Sequence, residues 1–327
     1  MRRREVVSLI GGAAATWPLA LQAQPPPQRT TKVIRIGVLA SHLLPPFRRF
    51  SQKLKELGYV EGETLRLEYR FAEGHDDRYA VMAAELVALP VELIVTSGTP
   101  AALAAKAATN AIPIVMASIG DAVNTGIVSS LARPGGNVTG FAALNVELEG
   151  KRLELLKVLI PSLSRVGVLA NPGNPLFQVS LQNLRPAANT LGLSLEIFEA
   201  RDISEIDGAL LRLVKARPGA VLIAADSLLL IKRREIVEFL AKGNLAAIYP
   251  FREYSEVGGL LVHGANLSVL FERSAVYVDR ILKGEKPGDL PIQQATEFEL
   301  IVNLKAASTL GLKIPATLLA RADEVME

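Results

Sequence analysis

The chain has 327 residues, half of them hydrophobic, which is enough for about two domains with substantial cores. It contains no cysteine, so disulfide bonds, thiolate catalysis and zinc–sulfur sites are excluded. The formal net charge is only +3, and no dense basic patch is interleaved with aromatic residues, so we do not expect a nucleic-acid partner.

The first 23 residues are typical of a secretory signal peptide. Arg2, Arg3 and Arg4 precede an apolar run over 6–21, and the small residue Ala23 stands before a polar, proline-rich stretch. The run is interrupted and too short for a membrane span, which needs about 20 apolar residues. We expect cleavage after Ala23, export by the Sec or the twin-arginine route, and a periplasmic location.

After a linker over 24–32, short apolar runs alternate with segments of helical periodicity, and Gly, Pro, Asn or Asp residues separate them. In this first series we predict strands at 33–40, 65–70, 93–96 and 112–117, and helices at 47–57, 77–89 and 100–109.

The segment 133–140, with the sequence RPGGNVTG, interrupts the alternation, and we interpret it as a turn-rich crossing. A second series follows, with helices predicted at 146–159, 176–191, 204–216 and 228–242, and strands at 165–170, 193–199, 220–225 and 246–249. The chain then continues with a predicted helix at 268–282, a strand near 297–302 and a final helix after Asn303.

Alternating strands and helices with near-continuous apolar strands predict parallel sheets that helices cover on both faces. Eight such units could close into one barrel. The crossing at 133–140 divides them four and four, however, so two open, doubly wound lobes fit the sequence better.

In open sheets of this kind a ligand binds beyond the carboxyl ends of the strands. The third predicted strand leads into Ser97, Gly98, Thr99 and Pro100, and we predict Thr99 as the N-cap of the next helix with Pro100 at its first position. The helix N–H groups and the hydroxyls of Ser97 and Thr99 suit a carboxylate. Taken alone, the segment is more simply an ordinary helix cap.

Four other candidate ligand residues follow predicted strands: Asp121, Asn171, Asp226 and Tyr249. Asp121 or Asp226 could hold an ammonium group, and either could instead be a helix N-cap, which needs only local geometry. Tyr249 could stack on a ligand or be a buried core aromatic.

Signals for catalysis are weak. The sequence has neither a Gly-x-Ser-x-Gly nucleophile motif nor a phosphate-binding Gly-Lys-Ser/Thr loop. His42, His75 and His263 are far apart and form no metal-ligand spacing. We therefore expect no enzyme activity, no cofactor and no metal site.

Five segments together carry a family resemblance: 57–62 (LGYVEG), 97–102 (SGTPAA), 130–140 (SLARPGGNVTG), 249–252 (YPFR) and 318–325 (LLARADEV). Through them the chain resembles the ABC transporter substrate-binding proteins of the type 1 periplasmic-binding fold, the group that includes tryptophan/tyrosine-type binding proteins. The resemblance covers nearly the whole mature chain. It implies pocket roles for six residues, Ser97, Thr99, Asp121, Asn171, Asp226 and Tyr249.

By analogy with that family, we expect an α/β protein with two doubly wound parallel-sheet lobes joined by a three-crossing hinge. The crossings are expected near 137–143, 258–266 and 291–297. The corresponding division of the chain is a signal peptide over 1–23, a linker over 24–32, one lobe from 33–141 plus 265–291, and a second lobe from 142–264 plus 292–327.

The function that this resemblance implies is capture of a small organic ligand, amino-acid-like or another carboxylate, and its delivery to an ABC permease in the inner membrane. We expect a monomer. Two alternatives remain open: a secreted hydrolase on a doubly wound scaffold, and a ligand sensor for a membrane receptor. The ligand-binding core of a transcription repressor shares the fold, but here a signal peptide replaces the DNA-binding headpiece.

Overall fold

The computed structural model describes residues 33–327, which form two sheets flanked by helices. The predicted signal peptide and linker lie outside the described residues. The strands in chain order are β1 (Ile34–Ala40), β2 (Leu65–Phe71), β3 (Leu93–Ser97), β4 (Ile114–Ile119), β5 (Val138–Ala142), β6 (Arg165–Ala170), β7 (Ser194–Glu199), β8 (Ala220–Ile223), β9 (Ala247–Tyr249), β10 (Leu261–Ala265), β11 (Gln293–Gln294), β12 (Phe298–Asn303) and β13 (Glu324–Met326).

The helices in chain order are α1 (Phe47–Glu56), α2 (Tyr79–Ala88), α3 (Thr99–Ala108), α4 (Glu149–Leu159), α5 (Phe177–Thr190), α6 (Ile206–Ala216), α7 (Ser227–Ile231), α8 (Arg233–Lys242), α9 (Leu267–Leu282), α10 (Leu304–Thr309) and α11 (Ala316–Leu319). Short 3-10 helices occupy Asp76–Arg78, Arg252–Val257 and Pro287–Asp289. None of the helices in 33–327 is both long enough and apolar enough to cross a bilayer.

Both sheets are mostly parallel, as the alternation of strands and helices predicted. The first has the strand order β11-β5-β4-β3-β1-β2, and all of its pairs are parallel. The second has the order β13-β12-β10-β9-β8-β6-β7, in which the pair of β10 and β12 is antiparallel. Every residue of β3 and β4 is buried, because helices cover both faces of the first sheet.

The chain passes between the sheets three times. The first passage, 143–148, leads from β5 of the first sheet into α4; the second, Asn266, leads from β10 of the second sheet into α9; the third, 295–297, leads from β11 back to β12. Helix α9 packs on the first sheet, where Phe271 meets Phe47 of α1 with ring centroids 4.8 Å apart. We call the first sheet with α1–α3, α9 and the loops between them the first lobe, and the second sheet with α4–α8, α10, α11 and the loops between them the second lobe.

The structure differs from the sequence prediction at β5. Residues 138–142, predicted as part of a crossing, form a strand that is buried throughout and pairs with β4. Thr139 and Gly140 obscured the apolar pattern. The Thr139 hydroxyl is accommodated in the core because it donates a hydrogen bond to the Leu290 carbonyl at 2.8 Å. The first passage therefore begins after Ala142.

Candidate functional site

The carboxyl ends of strands from both sheets face one shared cavity of about 60 Å³. The polypeptide segments around it come from the exits of β1, β3 and β4 in the first lobe, the first passage, and the exits of β6, β8 and β9 in the second lobe. The lining residues are Leu44, Ser97, Gly98, Thr99, Pro100, Ser118, Ile119, Gly120, Ala143, Asn145, Val146, Asn174, Leu176, Ala225, Asp226, Ser227, Leu230, Phe251 and Leu267.

The two lobes are closed against each other around this cavity. A Cβ atom built on Gly120 of the first lobe would lie only 1.9 Å from Cδ1 of Leu176 in the second. One built on Gly98 would lie 3.3 Å from the Ser227 hydroxyl oxygen, again across the cleft. The absence of side chains at these two positions allows the lobes to approach this closely.

The first-lobe side of the cavity can receive an anion. Helix α3 begins at Thr99, one residue earlier than predicted, and its N-cap is Gly98, which makes no side-chain cap hydrogen bond. The first-turn N–H groups of a helix lack intrahelical partners and carry a partial positive charge. The Thr99 hydroxyl is buried and accepts a hydrogen bond from the Gly120 N–H at 3.2 Å, while Ser97 and Ser118 add two more hydroxyls.

The second-lobe side presents a carboxylate. Asp226 is 5% exposed and caps α7, with Oδ1 accepting from the Leu228 N–H at 2.6 Å. Its Oδ2 accepts from Nδ2 of Asn174, also at 2.6 Å. Burial raises the pKa of Asp226, and these hydrogen bonds partly oppose that shift. A buried carboxylate of this kind is suited to a ligand cation.

A smaller cavity of about 20 Å³ adjoins the first and is lined by Asn171, Glu149, Ser180 and Asp226, among others. Asn171 is buried, and its Oδ1 accepts from the Gly173 N–H at 2.8 Å. On the other lobe, burial and the nearby charge of Asp226 raise the pKa of Asp76 to about 6. Closure thus brings acidic groups of both lobes together.

Four of the six residues nominated from the sequence therefore lie around the two adjoining cavities: Ser97, Thr99, Asn171 and Asp226. Asp121 does not line them, and its Oδ1 accepts from the N–H groups of Val123 and Asn124, each at 2.9 Å.

Tyr249 also lies away from the main cavity. It is buried against Tyr254, with stacked rings 4.7 Å apart, and borders a separate cavity of about 240 Å³ in the second lobe. The chain turns at Pro250 after β9, so that Phe251 is the aromatic residue that lines the cleft.

Sequence reasoning missed several lining residues, including Leu44, Ser118, Asn145, Asn174 and Phe251. Asn174 lies in the loop that follows β6, and its position after a predicted strand could have identified it. Asn145 had no such signal, because it follows β5, which was not predicted as a strand. Among the described residues, no group of three or more His, Asp or Glu side chains is placed to hold a metal ion.

A buried acid in the 3-10 helix Arg252–Val257 predicts a pH dependence of folding stability. Glu253 is 4% exposed and its Oε2 has no hydrogen-bond partner. Burial raises the pKa of this side chain from 4.5 to about 7. The folded state then binds more protons than the unfolded state, so the stability from this group is complete below pH 4.5 and is lost as the pH rises towards 7.

Glu253→Gln removes this titration. Between pH 4.5 and 7.5 the unfolding free energy of the unsubstituted protein should fall relative to that of the variant, by about 3 kcal/mol at most. Urea unfolding across this pH range measures the difference. The control is Glu238→Gln, an exposed side chain on α8, because the charge of the nearer Glu256 itself raises the pKa of Glu253. This variant should keep the pH-dependent fall of the unsubstituted protein. A Glu253→Gln difference that does not vary with pH would contradict the assignment.

Comparisons with known proteins agree with this two-lobed architecture. Residues 45–326 match the family model described as ABC transporter substrate binding protein. The chain is 28% identical over 266 residues to a tyrosine-binding protein of Clostridioides difficile (strain R20291), covering 81% of this chain and 76% of that protein.

Two solved structures are similar over 90% of this chain and 100% of their own chains. One is a conserved domain protein from Vibrio cholerae, with 27% identity and a TM-score of 0.84. The other is an ABC domain from Streptococcus pneumonia in complex with L-Trp, with 26% identity and a TM-score of 0.82.

Proposed function

Because the chain belongs to the ABC transporter substrate-binding protein family, we propose that it captures an amino acid with an aromatic side chain in its cleft and delivers it to an ABC permease. The names of two relatives, one a tyrosine-binding protein and one a complex with L-Trp, support this ligand class. The pattern over 1–23, which is typical of a signal peptide, supports export, and delivery to a permease of this kind takes place outside the cytoplasm.

The observation that carries the proposal is the distribution of polar groups around the cleft. The first lobe presents hydroxyls and the start of α3, which suit a carboxylate; the second presents the buried carboxylate of Asp226, which suits an ammonium group. Apolar side chains, including Leu176, Leu230 and Phe251, line much of the remaining cavity. This is the complement of a zwitterion with an apolar side chain.

Such a ligand also provides a reason for the lobes to move. The closed cavity of about 60 Å³ is far smaller than a usual ligand pocket of roughly 300–1,000 Å³. The lobes must therefore separate before an amino acid enters. A ligand that contacts both lobes then binds the closed form better than the open form, and its binding shifts the equilibrium towards closure.

Calorimetry with L-tryptophan and L-tyrosine tests the proposal. We expect saturable one-to-one binding of at least one of them. A hundredfold excess over Kd should add about 2.7 kcal/mol to the free energy of unfolding by mass action, and ligand should reduce the radius of gyration in solution scattering. Chromatography should recover the amino acid unchanged.

L-Leucine and L-glutamate are the comparison ligands, the first lacking an aromatic ring and the second adding a charge. Tighter binding of either of them than of both aromatic amino acids would contradict the proposed ligand class. Conversion of the ligand to a product would replace a binding role with an enzymatic one.

A further inference from the structure

The most completely buried charge in the described chain is the guanidinium of Arg152 on α4, which has 0% exposure. Its Nε donates to the His263 carbonyl at 2.7 Å, its Nη1 donates to the Asn145 carbonyl at 2.9 Å, and its Nη2 donates to Oδ1 of Asn145, also at 2.9 Å. Burial lowers the pKa of Arg152 to about 10, so the group stays charged at neutral pH. An ion buried in this way requires these partners.

The acceptors belong to the first passage and to β10, the strand that leads into the second passage. Asn145 lies in the first passage, after β5. His263 lies in β10, two residues before the strand ends and the second passage begins. One planar guanidinium thus joins the first passage to β10, the strand that leads into the second passage. The two segments also lie close together, because a Cβ built on Gly264 would be 3.1 Å from Oδ1 of Asn145.

This arrangement fixes which way the Asn145 carboxamide points. A guanidinium has only donors, so the amide oxygen must face Arg152 and the amide nitrogen must face the other way. Asn145 is 4% exposed and lines the cleft cavity. No described residue accepts a hydrogen bond from its Nδ2, and this atom is not among the enclosed, unpartnered polar atoms. The Nδ2 donor is therefore open to the cleft.

We infer that Asn145 donates a hydrogen bond from Nδ2 to an acceptor group of the bound ligand, such as a carboxylate oxygen, and that Arg152 is the positioning residue that holds this donor while tying the first passage to β10. The ligand contact rests on the proposed function; the connection between the first passage and β10 does not. A ligand held by Asn145 then acts directly on a hinge segment, which links occupancy to lobe closure.

Asn145→Asp separates the ligand contact from the tie. The substituted carboxylate still accepts from Arg152, but it has no N–H to donate and repels a carboxylate ligand. We expect a melting temperature close to that of the unsubstituted protein and an affinity for L-tryptophan or L-tyrosine lower by at least about tenfold. Unchanged affinity in a protein that binds either amino acid would overturn the ligand contact and leave the proposed function standing.

Arg152→Lys tests the tie without any ligand. One ammonium group cannot reproduce the fixed fork that reaches Asn145 and His263 together. Hydrogen exchange of the ligand-free protein should accelerate by at least about tenfold in both 143–148 and 261–265. Lys151→Met, at the neighbouring and partly exposed position on α4, is the control and should leave the exchange of both segments unchanged. Asn145→Asp should also leave the exchange of both segments unchanged, because its carboxylate still accepts from Arg152.

The ligand contact of Asn145 and the positioning role of Arg152 can be contradicted independently of each other. If neither amino acid binds the unsubstituted protein, the proposed ligand class is wrong, and the exchange measurement still decides whether Arg152 holds the first passage to β10. If Arg152→Lys accelerates exchange in only one segment, or does so no more than Lys151→Met, the positioning role of Arg152 is overturned. A merely local packing role of Arg152 predicts loosening of α4 alone.

Discussion

Replacing Asp226 with Asn should weaken the binding of L-tryptophan or L-tyrosine by at least about thirtyfold in calorimetry at neutral pH. Truncating one partner of a buried, hydrogen-bonded charge pair costs roughly 2–5 kcal/mol of binding free energy, and each 1.4 kcal/mol is a factor of ten. Asp226 is 5% exposed in the cleft lining, so a ligand ammonium group beside it would be screened little by water. Asn and Asp are equally good N-caps, so α7 should keep its start.

Two controls isolate the charge. Asp202→Asn makes the same change at another residue that accepts backbone N–H groups in a turn, with Ser204 at 2.8 Å, but away from the cleft lining. It should leave the affinity within about twofold. The ligand 3-indolepropionate lacks the ammonium group, so it should bind the unsubstituted protein and Asp226→Asn almost equally. Equal loss for both ligands would assign Asp226 to the structure of the cleft and not to the ammonium group.

Gly264→Ala should lower the free energy of unfolding by about 3 kcal/mol or more, because overpacking that displaces the backbone exceeds the usual cost of roughly 1–3 kcal/mol. A Cβ at this position would lie 1.8 Å from the Pro250 carbonyl oxygen. Since the obstacle is backbone and not the end of a side chain, β10 and the segment after β9 must move apart. Urea unfolding measures the loss.

Gly208→Ala is the matched control in the second lobe. Gly208 is inside α6, where a Cβ would have only the Arg212 side chain near it, at 3.5 Å. Alanine in a helix interior is favoured over glycine by roughly 0.5–1 kcal/mol, so this variant should be more stable than the unsubstituted protein. If Gly264→Ala is also as stable as the unsubstituted protein or more stable, the backbone around Pro250 can move aside at little cost, and the prediction is wrong.

The close packing around Gly264 could not be predicted from the sequence. The run over 258–264 was visible only as a glycine-rich segment that enters a crossing. The need for glycine at 264 comes from the Pro250 carbonyl, which belongs to a different strand exit and is brought there by the pairing of β9 with β10. Such a requirement depends on two segments at once, and local patterns describe only one.

Residues of the site could be predicted from the sequence where the end of a strand could be predicted. Ser97, Thr99 and Asp226 follow strands whose apolar runs are unmistakable, and all three line the cleft. Asp121 follows a strand equally closely, yet it caps the turn at Val123 and Asn124 and does not face the cavity. A position after a strand therefore identifies a candidate cleft residue, whereas the turn that follows the strand decides where its side chain points.

The sequence by itself determined the α/β class, the two mostly parallel sheets and the exits at which polar residues gather, because each depends on a periodic pattern of burial within one short segment. The tertiary structure decided what no segment contains: that Phe251 and not Tyr249 lines the cleft, that the Asn145 amide oxygen faces Arg152, and that Arg152 is buried between the first passage and β10. The bond from Arg152 to the His263 carbonyl joins residues 111 positions apart, and the cleft that Asn145 and Phe251 line forms only where the two lobes meet. The distances and the burial that determine the energy of such contacts exist only after the chain has folded and packed.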